Sequence, residues 1–438
     1  MQFVANKAQE AMGPAPGNVV ENDYKERADG AKMKALVWFG AEDVRVMDAA
    51  VPEITQPDDI IGKVTGTTIC GSDLHLYHSE ILGMQKGDIL GHEFCIQQVG
   101  PNVTKFKPGD RAVVSFQIAC GKCRYCQKKL SSFCERTNDS SLMQTMYGGR
   151  DAGFFGYSHF TGGFPGGQAE YVRVPFGDVN CQFIPDEVSD EEAIYLSDVL
   201  PTSYHCVVDT GVTEGDTVGV WGLGPIGLAA VKWAQLKGAK RVIGIDGVPF
   251  RLEYAREHLG IETINFNEVS DIPKKILEMV PGGLDKALDC GTFHEPKTLL
   301  HKVQKALLLE TDVPETANEM IMSTRKAGSC GVIAAYAGLT NNFNIGALME
   351  KGIRFIGNGQ APVHLYRDEI LNDYIKTGKF DVRLILSHRF AFEDMAKLYG
   401  KFDKRVPGLL KTFVETRFSA PPKAGYPTLT RVDDLPEK

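Results

Sequence analysis

Residues 216–246, DTVGVWGLGPIGLAAVKWAQLKGAKRVIGID, leave few ways to fold. TVGVW is a short run rich in β-branched and aromatic residues, which reads as a buried strand. GLGPIG follows at once. It places Gly222, Gly224 and Gly227 in a G-x-G-x-x-G pattern, with Leu223, Pro225 and Ile226 between them. PIGLAAVKWAQLKG continues as a helix with Pro225 tolerated in its first turn, and RVIGID is the next strand, ending at Asp246. Glycines so spaced permit a tight turn, close approach of backbone to a pyrophosphate, and close helix packing. The helix N-terminus then favours phosphate. The pattern alone is weak evidence, but here it follows a strand, opens a helix and has an acidic residue 19 positions after its last glycine. That context is what a dinucleotide site requires. Asp246 can accept hydrogen bonds from the adenosine ribose hydroxyls and would repel a 2′-phosphate, which predicts NAD rather than NADP. Arg251 pulls the other way, since an arginine can hold such a phosphate. KALDC (286–290), GVIAAYA (331–337) and IRFIG (353–357) read as further strands, alternating with helical stretches such as RLEYAREHLG (251–260). The expected result is an α/β doubly wound parallel sheet.

That sheet accounts for less than half of 438 residues, so a second domain is expected. The composition, 43% hydrophobic and 24% charged, is that of an ordinary globular protein. A formal net charge of -8 gives no electrostatic case for nucleic acid or an anionic membrane. No apolar run approaches the roughly 20 residues of a membrane helix. Residues 1–32 lack a long apolar segment and carry Glu10, Glu21, Asp23, Glu26 and Asp29, so they read as neither a secretory signal nor a transit peptide. They are expected to form a disordered extension before the strand MKALVWF (33–39), and SAPPKAGYPTLTRVDDLPEK at the other end is expected to be similarly loose. The expected setting is cytoplasmic and reducing, where clustered cysteines bind metal more often than they form disulfides.

ACGKCRYCQKKLSSFC (119–134) holds such a cluster, with Cys120, Cys123, Cys126 and Cys134 in C-x2-C-x2-C-x7-C spacing. Two-residue spacers let successive thiolates turn toward one centre. Lys122, Arg124, Lys128 and Lys129 offset part of the thiolate charge. A closed tetrahedral zinc site fits best; an iron–sulfur cluster and a disulfide pair are the alternatives that spacing leaves open. A four-thiolate site has no open position for a substrate, so any metal chemistry needs a second constellation. TTICGSDLHLYHSEILGMQKGDILGHEF supplies Cys70 and His92 as ligand types, with Glu93 adjacent and Asp73 available to orient a ligating histidine. Ser72 and His75 could pass a proton. Taken singly, each is more simply read as a core or surface residue; together they point to a site. LSDVLPTSYH (196–205) offers Asp198 in an apolar context, where a carboxylate is costly unless paired or metal-bound. Its plainer reading is a helix N-cap or turn residue.

Taken together, CGSDLH, GHE, the four-cysteine lobe, LSDVLPTSYH and GLGPIG resemble the zinc-dependent medium-chain alcohol dehydrogenases over roughly residues 33–418. Within them the chain looks most like the glutathione-independent formaldehyde dehydrogenase group. The resemblance implies a GroES-like β-rich catalytic domain, split in sequence around a Rossmann cofactor domain, with the active site between the two. It implies residues 33–199 as catalytic domain with the zinc lobe near 119–135, residues 200–358 as NAD-binding domain, and residues 359–438 as the return to the catalytic domain and a tail. It implies NAD and two zinc ions per chain. Cys70, His92 and Asp198 would hold the catalytic zinc, and the four cysteines the structural one. Glu93 would lie behind the catalytic zinc and ligate it transiently. Ser72 would contact the substrate oxygen, His75 would end a proton relay, and Thr202 would lie by the nicotinamide. Asp246 and Arg251 would flank the adenosine ribose. Small-molecule substrates and a homodimer or homotetramer are implied as well. One departure stands out: GHEFCIQQVG lacks the glycine the family usually carries after G-H-E and is two residues short. An even-numbered loss preserves which side chains face inward, but it bears on whether His92 stays in line with the zinc. ALLLETDVPETANEM (306–320) is longer than the connection expected there, and reads either as a cofactor-retaining insertion or as a surface helix and loop.

Three functions remain open on this reading. One is an NAD-dependent zinc dehydrogenase acting on an alcohol or aldehyde hydrate, formaldehyde among them. A second is a polyol or amino-alcohol dehydrogenase. The third is a nucleotide-binding relative without turnover, which the presence of Cys70, His92 and Asp198 disfavours.

Overall fold

A computed structural model describes residues 2–20, 22, 24–96, 103–291, 312–336 and 338–437. The chain divides into two compact units, one made of Met1–Pro201 with Pro362–Lys438 and the other of Thr202–Ala361.

The second unit contains a parallel sheet in the spatial order Glu262–Asn265, Arg241–Asp246, Thr217–Trp221, Leu284–Asp289, Thr324–Val332 and Arg354–Gly357. Counting strands along the chain, this is 3-2-1-4-5-6, the doubly wound order in which a dinucleotide binds where strand order reverses. The glycine turn leaves the first of these strands, at that reversal. Its helix, Pro225–Leu236, starts with Gly224 as N-cap and proline in the first turn. The neighbouring helix Pro249–Leu259 ends at Gly260, whose φ of 63° lets the chain turn out of the helix. Ile243, Ile245, Ile264, Leu284, Ala287 and Met320 pack into one buried cluster. Two details differ from expectation. The fifth strand runs Thr324–Val332 rather than 331–337. The apolar run beyond Val332 leaves the sheet because the Ile333 and Ala334 amides fold back onto the Asp289 carbonyl at 3.0 and 3.1 Å. In the 306–320 stretch, residues 306–311 lie outside the described residues. The helix Glu315–Ser323 that follows buries Ala317, Met320 and Ile321 against the sheet, so it is a layer of the fold rather than a surface appendage.

In the first unit the strand Ile60–Thr67 is the hub. Its first half pairs antiparallel with Tyr171–Val174, and its second half with Phe94–Ile96 on one side and Lys411–Glu415 on the other. The sheet extends through Ala112–Val114 and Cys181–Phe183 at one edge and through Leu386–Ala391 and Leu429–Thr430 at the other. Ile60, Val64, Phe94, Val114, Phe155 and Val172 fill the core beneath it. The hub strand runs straight into Cys70, and the strand beside it begins just after His92 and Glu93.

Both chain ends are more ordered than their sequences suggest. Residues Gln2–Met12 form a helix. Gln2 Nε2 donates to the Ile81 carbonyl, Asn6 Nδ2 to the Met84 carbonyl at 3.1 Å, and the Leu142 amide to Gln9 Oε1 at 2.9 Å. Within the stretch 1–32, expected to be disordered, Gln2–Met12 is thus a docked helix. That helix docks through amides onto backbone groups, and apolar periodicity carries no trace of such contacts. At the other end, Leu429–Thr430 joins the sheet, and Lys423 Nζ reaches Glu192 Oε2 at 2.7 Å. Among the described residues, no helix is long and apolar enough to cross a membrane.

Candidate metal centre and nucleotide turn

Cys70 precedes the short helix Gly71–Tyr77, which carries Ser72, Asp73 and His75. The Cys70 amide donates to Asp73 Oδ2 at 2.9 Å, which fixes the start of the helix and the direction of the thiol. His92 comes from the loop before the strand Phe94–Ile96, and Asp198 from the turn before the helix Val199–Asp209. These three distant segments converge. Cys70 Sγ lies 3.9 Å from Asp198 Oδ2, and His92 Nε2 lies 3.5 Å from the same oxygen. A tetrahedral zinc with bonds of about 2.0–2.3 Å holds its ligand atoms roughly 3.3–3.8 Å apart, so these spacings fit such an ion. With Glu93 added, the four ligand atoms all lie within 4.8 Å of one another, and all four residues are buried. Asp198 does precede a helix, as its plainer reading held, but its carboxylate faces Cys70 and His92.

The surroundings direct the ligands. Asp73 Oδ1 is 3.1 Å from His92 Nδ1, leaving Nε2 for the metal side. Gln168 Nε2 donates to Asp73 Oδ2 at 3.2 Å, and Tyr399 Oη donates to Gln168 Oε1 at 2.8 Å. Gly91, at φ 98°, lies so close to Gln168 that a Cβ there would come within 2.6 Å of its backbone nitrogen. Burial opposes charge on His92, but Asp73 and Asp198 outweigh it and hold the ring's pKa well above its ordinary value. Burial pushes the Glu93 carboxyl up, with Lys411 pulling the other way. Lys411 Nζ is 2.7 Å from both Glu93 oxygens. Ser72 Oγ sits 3.3 Å from Cys70 Sγ and 3.4 Å from His92 Nε2. His75 Nδ1 meets Glu80 Oε2 at 2.5 Å. Phe116 and Tyr157 present ring edges to His92, with centroids at 6.3 and 5.8 Å. His92 thus remains in the group despite the short segment after it. Residues 97–102 of that segment lie outside the described residues. Sequence reasoning missed Lys411, Gln168, Tyr399 and Glu80, none of which carries a motif.

The four cysteines form a second group. Cys123 Sγ lies 3.5 Å from Cys126 Sγ and 3.9 Å from Cys134 Sγ, and Cys120 Sγ 3.9 Å from Cys126 Sγ. These are edge lengths of a zinc–thiolate tetrahedron of roughly 3.8 Å. They are far from the ~2.05 Å of a disulfide, and all ten cysteines are free. A multi-iron cluster would spread its thiolates over separate irons.

In the nucleotide unit, Gly222 has φ 85°, and a Cβ there would come within 2.8 Å of Gly291. At Gly227 a Cβ would overlap the Gly222 carbonyl oxygen. Gly222 and Gly227 are thus steric requirements of this turn, whereas a Cβ at Gly224 would meet only Arg251 Nη1 at an ordinary 3.8 Å. Asp246 accepts from the Leu223 amide at 2.6 Å and the Val248 amide at 2.8 Å. Arg251 Nη1 stands 3.9 Å from Asp246 Oδ2. Thr202 lies in the helix Val199–Asp209.

The chain thus combines a parallel doubly wound unit with a β-rich unit that carries two groups able to hold a metal ion. Residues 56–185 match the alcohol dehydrogenase GroES-like domain, and residues 225–307 match the zinc-binding dehydrogenase family. The chain is 41% identical over 422 residues to a zinc-type alcohol dehydrogenase-like protein of Schizosaccharomyces pombe, across 95% of this chain and 99% of that one. It is 30% identical over 406 residues to the glutathione-independent formaldehyde dehydrogenase of Pseudomonas aeruginosa, across 85% and 96% of the two chains. The solved alcohol dehydrogenase of Thermus sp. ATN1 matches with a TM-score of 0.73 at 31% identity, over 88% of this chain and 100% of that one. The chain belongs to the zinc-containing medium-chain alcohol dehydrogenase family and is a zinc-dependent alcohol dehydrogenase-like oxidoreductase.

Proposed function

We propose that this protein oxidises small alcohols or aldehyde hydrates, formaldehyde among them, with NAD as hydride acceptor. Zinc would be held by Cys70, His92 and Asp198, and a second zinc by the four-cysteine lobe. The observation that carries the reading is the convergence of those three ligand types at zinc spacing, with Asp73 behind the histidine. Zinc in that group would supply Lewis acidity toward a substrate oxygen, and NAD would supply the hydride acceptor. Ser72 Oγ lies at the ligand set and would relay the substrate hydroxyl proton, accepting it as it passes its own on through the cofactor ribose toward His75. His75 is held by Glu80, whose side chain is 50% exposed, so His75 and Glu80 would give that proton a way to solvent. Asp73 would keep the His92 proton on Nδ1. Glu93 would stand behind the ion. The glycine turn would receive the pyrophosphate at the start of the helix Pro225–Leu236. Asp246, fixed by two amides, would meet the adenosine ribose and repel a 2′-phosphate. Arg251, 3.9 Å from Asp246, would offset part of that repulsion, and Thr202 would lie by the nicotinamide. The similarity to glutathione-independent formaldehyde dehydrogenases supports a small substrate.

The test is NADH formation by zinc-replete protein with formaldehyde and no glutathione, beside a panel of simple alcohols and polyols. Formaldehyde oxidation is the expected result. Activity on alcohols alone would keep the mechanism and discard that substrate, and activity on none would overturn the proposal.

A further inference from the structure

Four protein ligands close a zinc site, whereas catalysis needs one position left open. The group of Cys70, His92, Glu93 and Asp198 therefore poses a problem. All four ligand atoms lie within 4.8 Å of one another, so the Glu93 carboxylate stands close enough to compete for an ion held by the other three. Whatever holds Glu93 back determines whether the site can bind a substrate oxygen.

Lys411 is placed to do this. Its Nζ is 2.7 Å from Glu93 Oε1, 2.7 Å from Oε2 and 3.1 Å from the Ile69 carbonyl oxygen. Three acceptors match the three hydrogens of an ammonium group. The side chains of Lys411 and Glu93 are only 2% and 1% exposed, so water cannot substitute for either partner. Lys411 opens the strand Lys411–Glu415, which is tied into the sheet by the pairing of Val414 with Thr67. Its backbone amide donates to the Ile385 carbonyl at 2.9 Å. The Lys411 backbone is therefore fixed in the sheet and its ammonium is also tied to the Ile69 carbonyl, so a carboxylate that turned toward a metal would leave part of this pairing behind. If Glu93 turned to the ion, a buried lysine charge would lose part of its pairing, and that penalty opposes ligation.

We propose that Lys411 is a positioning residue that holds Glu93 out of the fourth coordination position and so keeps the catalytic metal open. This rests on reading Cys70, His92 and Asp198 as the catalytic ligands. The test replaces zinc with cobalt(II), whose visible bands report coordination, and uses imidazole as the probe of an open position. The four-cysteine lobe is closed and should not respond. In the wild type, imidazole should shift cobalt bands that a Cys70→Ala variant lacks. In Lys411→Met, with Glu93 free to ligate, imidazole should bind at least about tenfold more weakly while cobalt content per chain is retained. Lys411→Arg should respond like the wild type, and adding Glu93→Gln to Lys411→Met should restore the response. Lys411→Gln, which keeps a donor without the charge, takes the place of Lys411→Met if that variant does not fold. A wild-type imidazole response in either neutral variant would overturn the proposal. Absence of any response in the wild type would instead overturn the reading of the three ligands beneath it.

Discussion

Asp151 shows how far one half-buried carboxyl can tilt the balance at the scale of a single residue. Burial alone pushes its carboxyl up to about 6 from an ordinary 3.8. A carboxyl whose folded pKa is raised stabilises the fold while protonated, and that contribution is lost as pH rises through the folded value. At pH 8 the native state therefore carries a penalty of up to about 3 kcal/mol. Asp151→Asn should be more stable than the wild type at pH 8, and the difference should shrink toward zero near pH 4. Denaturant unfolding at the two pH values checks this, and an equal difference at both would contradict it. The metal group was legible in part at the same scale. Cysteine, histidine and an aspartate in an apolar stretch advertise ligand chemistry, and Asp73 follows from the need to orient a histidine. Lys411 does not advertise itself. Its partner Glu93 is 318 residues away, and a lysine ahead of an apolar strand reads as a solvated strand end.

Among the elements, the glycine turn was the most legible because sterics alone demand it. Gly227 faces the Gly222 carbonyl across the turn with no room for a methyl group. Gly227→Ala should weaken NADH binding at least about tenfold, roughly 1.4 kcal/mol, while both metals stay bound. A fluorescence titration beside a zinc assay would show it, and unchanged NADH affinity would refute the steric argument. The four-cysteine lobe was nearly as legible, because close spacing in sequence forces closeness in space. The helix Gln2–Met12 was not. Ala5 is its buried residue, and Gln2, Asn6 and Gln9 hold it by contacts to backbone groups. The fifth strand of the parallel sheet was misplaced for a related reason. An apolar run such as GVIAAYA fits a strand equally well before and after the point where backbone amides turn back to Asp289.

For the whole molecule, the parallel doubly wound class of the nucleotide unit followed from alternation of strands and helices, a local pattern; its strand order came from the structure. The β-rich unit depends on contacts between the two ends of the chain. Its hub strand is bordered on one side by Lys411–Glu415, which returns only after the whole nucleotide unit has been traversed. Resemblance announced that return; periodicity could not. The central claim is that one zinc, on Cys70, His92 and Asp198, does the chemistry while the other braces a lobe. The most direct measurement is zinc per chain and NAD reduction on the same preparations of wild type and Cys70→Ala. The account predicts two zinc ions and turnover in the wild type, and one zinc, no turnover and retained NADH binding in the variant. Turnover persisting in Cys70→Ala, or zinc content unchanged by it, would contradict the account.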